Sequence, residues 1–204
     1  MDTAAATAKT RPAEGERAQR ADAQRNRRKV LAAAAERFAE VGLEAQIDDI
    51  ARAAEVGVGT VYRHFPTKED LLQALADDRF EGLAAAAREG LSNTDPWAGF
   101  CDFMRYSAEV MAEDRGLSEA MDQRPGTCRE AAEGAGLPAL TAELVGRAQR
   151  SGELRQDLVP DDIPSLVCGL GRAVRANPGG KSMHWERYLE IMLAGMRAPA
   201  RPAP

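Results

Sequence analysis

A chain of 204 residues, 44% hydrophobic and 29% charged, is long enough for one or two domains with a true core. Its composition excludes a fibrous or low-complexity protein. No stretch approaches the ~18 consecutive apolar residues of a membrane span, and the charged N-terminus has no apolar leader core, so a cytoplasmic protein is expected. The net charge of −5 argues against a nucleic-acid partner only until it is divided along the chain. Residues 1–66 carry 11 Lys/Arg against 10 Asp/Glu, and residues 67–204 carry 16 against 22. Affinity for a polyanion follows the local cationic surface, not the total.

In chain order, residues 1–20 lack apolar periodicity and read as a disordered arm. A basic cluster follows at Arg25, Arg27, Arg28 and Lys29. Val30, Leu31, Ala34, Ala35, Phe38 and Val41 form a helical stripe over about 24–41, which Gly42 is placed to end. Two short segments, about 47–54 and 58–65, carry Ile47, Ile50, Ala51 and Ala54, then Val58, Val61 and Phe65, before Pro66 stops the second. Thr67 is the expected cap of a fourth helix running to about 90, with Asp70 completing a capping box. Asp95-Pro96 offers a further cap with proline at the first helical position.

Helices are then expected near 96–111, 115–123, 137–152, 161–174 and 185–196, with breaks at Pro125-Gly126, Gly134 to Pro138 and Asn177 to Gly180. The sum is an all-α chain of about nine helices, a long fourth helix joining two blocks. The tail after Arg197 is expected to fray.

The short pair at 47–65 carries the function. Helices of this length become stable only by crossing each other and packing on the helix before them. Ala51 and Ala54 allow that close crossing, and Val56-Gly57 supplies a tight link. This is the pattern of a helix-turn-helix, whose second helix enters a major groove. Gly57 and Gly59 let backbone approach DNA, while Thr60, Tyr62, Arg63 and His64 offer donors to phosphates or base edges. His64 serves equally as a packed histidine. Gln46, Val58 and Lys68 complete the expected DNA-facing set, Lys68 at a helix start that itself favours phosphate. Arg25, Arg27 and Arg28 would add phosphate or minor-groove contacts.

From Asp49-Ile50-Ala51 through Ala54-Glu55-Val56-Gly57-Val58-Gly59-Thr60-Val61-Tyr62-Arg63-His64-Phe65 to Lys68-Glu69-Asp70-Leu71, the chain resembles the signature of the TetR family of transcriptional regulators. Two positions depart from it. Glu55 stands where the family has a turn glycine, implying either strain or a right-handed backbone, and Gly57 replaces a usual serine. The stretch Arg150 to Arg155, Asp161-Asp162 and the closing Trp185…Leu189 helix also resemble one group of TetR-like regulatory domains.

The resemblance implies a helix-turn-helix DNA-binding domain over 21–68, a ligand-binding and dimerisation domain over 69–198 and a tail over 199–204. It further implies a homodimer on double-stranded, palindromic operator DNA, acting as a repressor released by a small-molecule effector. Trp97, Phe100, Phe103, Met104, Met111 and Met121 could line the effector pocket or simply fill a core. Leu166, Leu170, Val174, Trp185, Tyr188, Met192 and Met196 fall on the helices that would pair between subunits.

No catalytic constellation is seen. Gly180-Lys181-Ser182 resembles the end of a phosphate loop, but Arg175 occupies the place of its first glycine. Cys101, Cys128 and Cys168 are too widely spaced for a zinc site and read as reduced thiols. Neither a metal, a cofactor nor an enzymatic activity is expected.

Overall fold

The computed structural model describes residues 14–113, 118, 124–176 and 185–199. Among these, nine α-helices and one 3-10 turn make up the architecture: α1 (Glu14–Val41), the turn Gly42–Glu44, α2 (Ile47–Ala53), α3 (Val58–His64), α4 (Lys68–Ser92), α5 (Pro96–Glu113), α6 (Pro125–Gly134), α7 (Leu137–Arg150), α8 (Asp162–Ala176) and α9 (Trp185–Met196). No described helix is long and apolar enough to cross a membrane.

Local chemistry sets most boundaries. Gly42 takes a positive φ of 59° and ends α1. The capping box at α4 is formed: Asp70 N–H donates to Thr67 Oγ1 at 3.1 Å, and Thr67 N–H to Asp70 Oδ2 at 3.0 Å. Asp95 caps α5, accepting from the amides of Trp97 and Ala98 at 2.9 and 3.0 Å.

Two expectations need correction. The first helix begins at Glu14, inside the segment read as a disordered arm. Ala, Glu, Arg and Gln are strong helix formers, so the chain winds before any apolar stripe appears. Pro125-Gly126 was expected to be a break, but proline stands at the start of α6, where its missing N–H costs nothing. The other break expected there, at Gly134 to Pro138, is present, with Gly136 at φ 70°. The expected helix near 115–123 and the turn at 177–180 lie outside the described residues, Ser118 apart.

Two cores share one strut. The first gathers Val30, Leu31, Ala34 and Phe38 of α1, Ile50 and Ala51 of α2, Val61 of α3, Phe65, and Leu71, Leu72 and Leu75 of α4. The second gathers Ala87 of α4 with Phe100, Phe103 and Met104 of α5, Leu144 and Val145 of α7, Ile163, Val167 and Leu170 of α8, and Leu189 and Met196 of α9. Helix α4, ~37 Å long at 1.5 Å per residue, reaches from one to the other. At its far end it crosses α5 through a glycine pair. A Cβ on Gly90 would meet the Gly99 carbonyl, and one on Gly99 the Gly90 carbonyl, both closer than 3.0 Å. Arg147 of α7 then caps α4, donating to the carbonyls of Leu91 and, at 2.6 Å, Asn93.

The segment after α7 binds the end of the chain. Arg155 N–H donates to Met196 O at 3.0 Å and Ala198 N–H to Glu153 O at 2.7 Å. Fraying is thus checked as far as Ala198, one residue beyond Arg197. Arg155 itself grips Asp157 through two 2.6 Å bonds, which hold the Asp157 carboxyl below its ordinary value.

Because the obstacle at the glycine pair is backbone on both sides, no rotamer change relieves it. Gly99→Ala is expected to lower the unfolding free energy by roughly 1–3 kcal/mol, measured as a fall in the urea midpoint with unchanged slope.

Candidate nucleic-acid interface

Helix α2 ends in a turn whose hydrogen bonds define its shape. Glu55 N–H donates to Arg52 O at 3.2 Å and Val56 N–H to Ala51 O at 3.0 Å. This is a Schellman ending, and it requires a left-handed residue just after the cap. That residue is Glu55, with φ 56°, the one described non-glycine residue at positive φ. A right-handed backbone at Glu55 is therefore overturned, and the departure from glycine is met by strain. The reward is placement: Val56 closes the turn against the first core, and Gly57 caps α3 in extended conformation.

Helix α3 has a clear division of faces. Val61 is fully buried and Phe65 nearly so, which assigns Phe65 to the core. Gly57, Gly59 and Arg63 are exposed, Val58, Thr60 and His64 are half-buried, and Tyr62 is 48% exposed. A Cβ on Gly59 would meet nothing within 4 Å, so neither packing nor backbone conformation inside the chain calls for glycine there. Arg63 folds back along the helix, its Nε donating to Gly59 O at 3.1 Å and an Nη to Thr60 Oγ1 at 3.4 Å. His64 sets its ring at 52° to that of Phe65.

The basic cluster on α1 borders this helix and its turn. The Arg27 guanidinium lies 5.2 Å from the centre of the Phe65 ring, and Lys29 Nζ is 3.7 Å from the Glu55 carboxylate. Arg25 pairs with Asp22, and Arg28 is exposed. Gln46 is exposed at the cap of α2, its amide donating to Glu44 O at 2.8 Å. Lys68 is less available than its position suggested. Its ammonium donates to the Leu43 carbonyl and sits 5.7 Å from the centre of the Phe38 ring. It fastens α4 to the turn after α1, so its removal costs stability as well as any phosphate contact.

A cavity of about 410 Å³ opens in the second core, bounded by α4 to α8. Of the expected lining residues, Phe103 and Met111 are on its wall. Phe100 and Met104 are fully buried in the core beside it, and Trp97 stacks on Phe100 at 5.8 Å. The spacing explains the split: Phe103, Ser107 and Met111 follow one another at four-residue steps along α5, while Phe100 and Met104 lie on an adjacent row. Met121 lies outside the described residues. Sequence reading missed Phe80 and Leu83 of α4 and Ile163 and Val167 of α8, whose helical stripes look like any core. Helix α6 packs on α4 and α7. Its Cys128 and Ala132 line the cavity, while Ala131 joins the first core. Arg124, at its start, pairs with Glu69 at 2.8 Å. The Glu69 carboxyl is held below its ordinary value, first by its backbone hydrogen bond and then by Arg124.

Of the expected dimer residues, Leu170 and Met196 are buried in the second core, and Val174, Trp185 and Met192 pack partly against it. Leu166 and Tyr188 are exposed, and so is Ile191 of α9, at 59%.

The left-handed backbone at Glu55 carries roughly 1–2 kcal/mol of strain, offset in a glycine variant by about 0.5 kcal/mol of extra unfolded-state freedom. Its exposed pairing with Lys29 contributes little. Glu55→Gly is therefore expected to raise stability by about 1 kcal/mol, checked by chemical denaturation.

Comparison with known proteins agrees with this geometry. Residues 30–75 match the model for bacterial regulatory proteins of the TetR family, and residues 95–198 match that for the C-terminal domain of SbtR-like transcriptional regulators. The HTH-type transcriptional regulator UidR of Escherichia coli K12 is 29% identical over 194 residues, covering 86% of this chain and 94% of the relative. A TetR transcription regulatory protein from Mycobacterium vanbaalenii, solved by crystallography, is 37% identical with a TM-score of 0.65, covering 88% of this chain and 99% of its own. The TetR transcriptional regulator SCO0520 from Streptomyces coelicolor is 27% identical with a TM-score of 0.62, covering 85% and 99%. With both halves matched and a 37% identical relative covered almost end to end, this chain belongs to the TetR family of DNA-binding transcriptional regulators.

Proposed function

We propose that the protein is a cytoplasmic, non-enzymatic repressor that binds a palindromic operator as a homodimer and leaves it when a small molecule fills the cavity of the second domain. The observation that carries this reading is the exposed face of α3, where Gly57, Gly59, Thr60 and Tyr62 front a helix whose opposite side is locked into a core. Each subunit would lay α3 in one major groove, with half-sites about 34–36 Å apart, one helical turn. Leu166, Tyr188 and Ile191, exposed on α8 and α9, would supply the apolar seam between subunits. Release requires the effector to favour the state that does not fit DNA. Helix α6 offers the route, since it touches the cavity, the first core and, through Arg124, the first turn of α4.

The test is selection of bound sequences from a random DNA pool by the purified protein. A two-fold symmetric site whose affinity falls steeply with salt is expected. No enrichment by folded, dimeric protein would remove DNA reading from the account. On the selected site, Tyr62→Ala is expected to weaken binding by about 1–3 kcal/mol, the scale of one lost specific contact, without changing stability. Gly59→Leu separates backbone approach from packing. It should leave the fold intact, because the space around Gly59 is open, and still abolish tight operator binding. Full affinity in this variant would place Gly59 away from the DNA.

A further inference from the structure

The chemistry of the cavity wall narrows what can occupy it. At about 410 Å³ it falls within the range of small-molecule sites. Its apolar wall includes Phe80, Leu83, Phe103, Ile163 and Val167, with Pro138, Pro160 and Pro164 beside them. Among the described lining residues only Arg129 and Asp161 carry charge, and both are exposed. An ion held among the apolar groups would lose its water with no buried opposite charge among the described lining residues to replace it. Two buried hydroxyls, Ser107 of α5 and Thr141 of α7, are the polar groups set within the wall. Ser107 already donates to the Phe103 carbonyl at 2.8 Å, so towards a ligand its oxygen acts as an acceptor.

We infer that the cavity takes an uncharged, largely hydrocarbon molecule bearing a hydroxyl or amine that donates a hydrogen bond to Ser107. Among the described lining residues, a charged molecule of the same size would find opposite charge only at the exposed Arg129 and Asp161. This deepens the reading of the cavity as the effector site, and its test keeps the two apart.

The structure supplies its own reporters. Cys128 of α6 and Cys168 of α8 line the cavity, whereas Cys101 does not. Burial pushes the Cys101 thiol up to about 11, which slows its alkylation and makes it an internal control. The probe is N-phenylnaphthylamine, a neutral two-part aromatic with one N–H, compared with anilinonaphthalene sulfonate, the same skeleton bearing a fixed negative charge. Fluorescence titration of the full-length protein should saturate at one neutral probe per chain. The sulfonate should bind at least about tenfold more weakly. The neutral probe should also slow maleimide labelling of both Cys128 and Cys168, read by mass spectrometry, and leave Cys101 unchanged. Ala132→Trp, which fills the cavity from α6, should abolish probe binding. If that variant does not fold, the thiol protection in the unaltered protein decides.

Equal or tighter binding of the sulfonate, no saturable binding of the neutral probe, or binding that leaves both thiols unprotected overturns the inference. Operator binding is measured alongside. A probe that occupies and protects the cavity without loosening DNA upholds the ligand class and counts against effector-driven release.

Discussion

Helix α4 is held at both ends, and the rest of the molecule depends on that. At its start the Thr67–Asp70 box fixes the first turn, Lys68 fastens it to the Leu43 carbonyl, and Leu71, Leu72 and Leu75 sink into the first core. At its end Gly90 meets Gly99 backbone to backbone, and Arg147 closes the final carbonyls. Between these anchorages Phe80 packs towards the first core and lines the cavity as well. A rigid rod buried at both ends cannot be displaced in one domain without the other registering it. For the proposed release by an effector, this is the mechanical condition under which a cavity in one half can act on α3 in the other.

The helix-turn-helix motif depends on its neighbours for order. Its two motif helices are seven residues each and gain their order from α1 and α4. Within that economy the chain keeps costly features. A glutamate takes a left-handed turn where glycine would relax it, and glycine sits inside α3 where alanine would strengthen the helix. The second has a ready physical sense if, as proposed, this surface approaches a DNA backbone. For the choice of glutamate at position 55 the structure offers only a long contact with Lys29.

Much of this was legible from the residues. Helix ends marked by local chemistry, such as Gly42, the Thr67–Asp70 box and Asp95-Pro96, came through because their hydrogen bonds are made within three residues. The motif core at Ile50, Ala51, Val61 and Phe65 was legible because their helical spacing sets them on the inner faces of two short adjoining helices. What failed depended on distant partners or on propensity without periodicity. The first turns of α1 have no apolar stripe to announce them. Proline at the start of α6 looks the same in sequence as proline in a loop. The internal bond of Lys68 spans 25 residues, and the choice of Phe103 over Phe100 for the cavity wall is set by helices that approach α5 from elsewhere. The left-handed Glu55 lay between these cases: the family resemblance marked the position, but only the hydrogen bonds of the turn fixed its sign.

The shared strut can be tested without DNA or ligand. The only two tryptophans, Trp97 and Trp185, both pack on the second core, whereas far-ultraviolet circular dichroism sees every helix. The decisive measurement is a urea titration at one protein concentration with both signals recorded. If α4 makes the reading head and the cavity domain one cooperative body, the two curves superimpose with a common midpoint and slope. An early loss of helix with unchanged tryptophan emission would mean that the first core melts on its own, and would contradict the account of α4 as the element that binds both halves together.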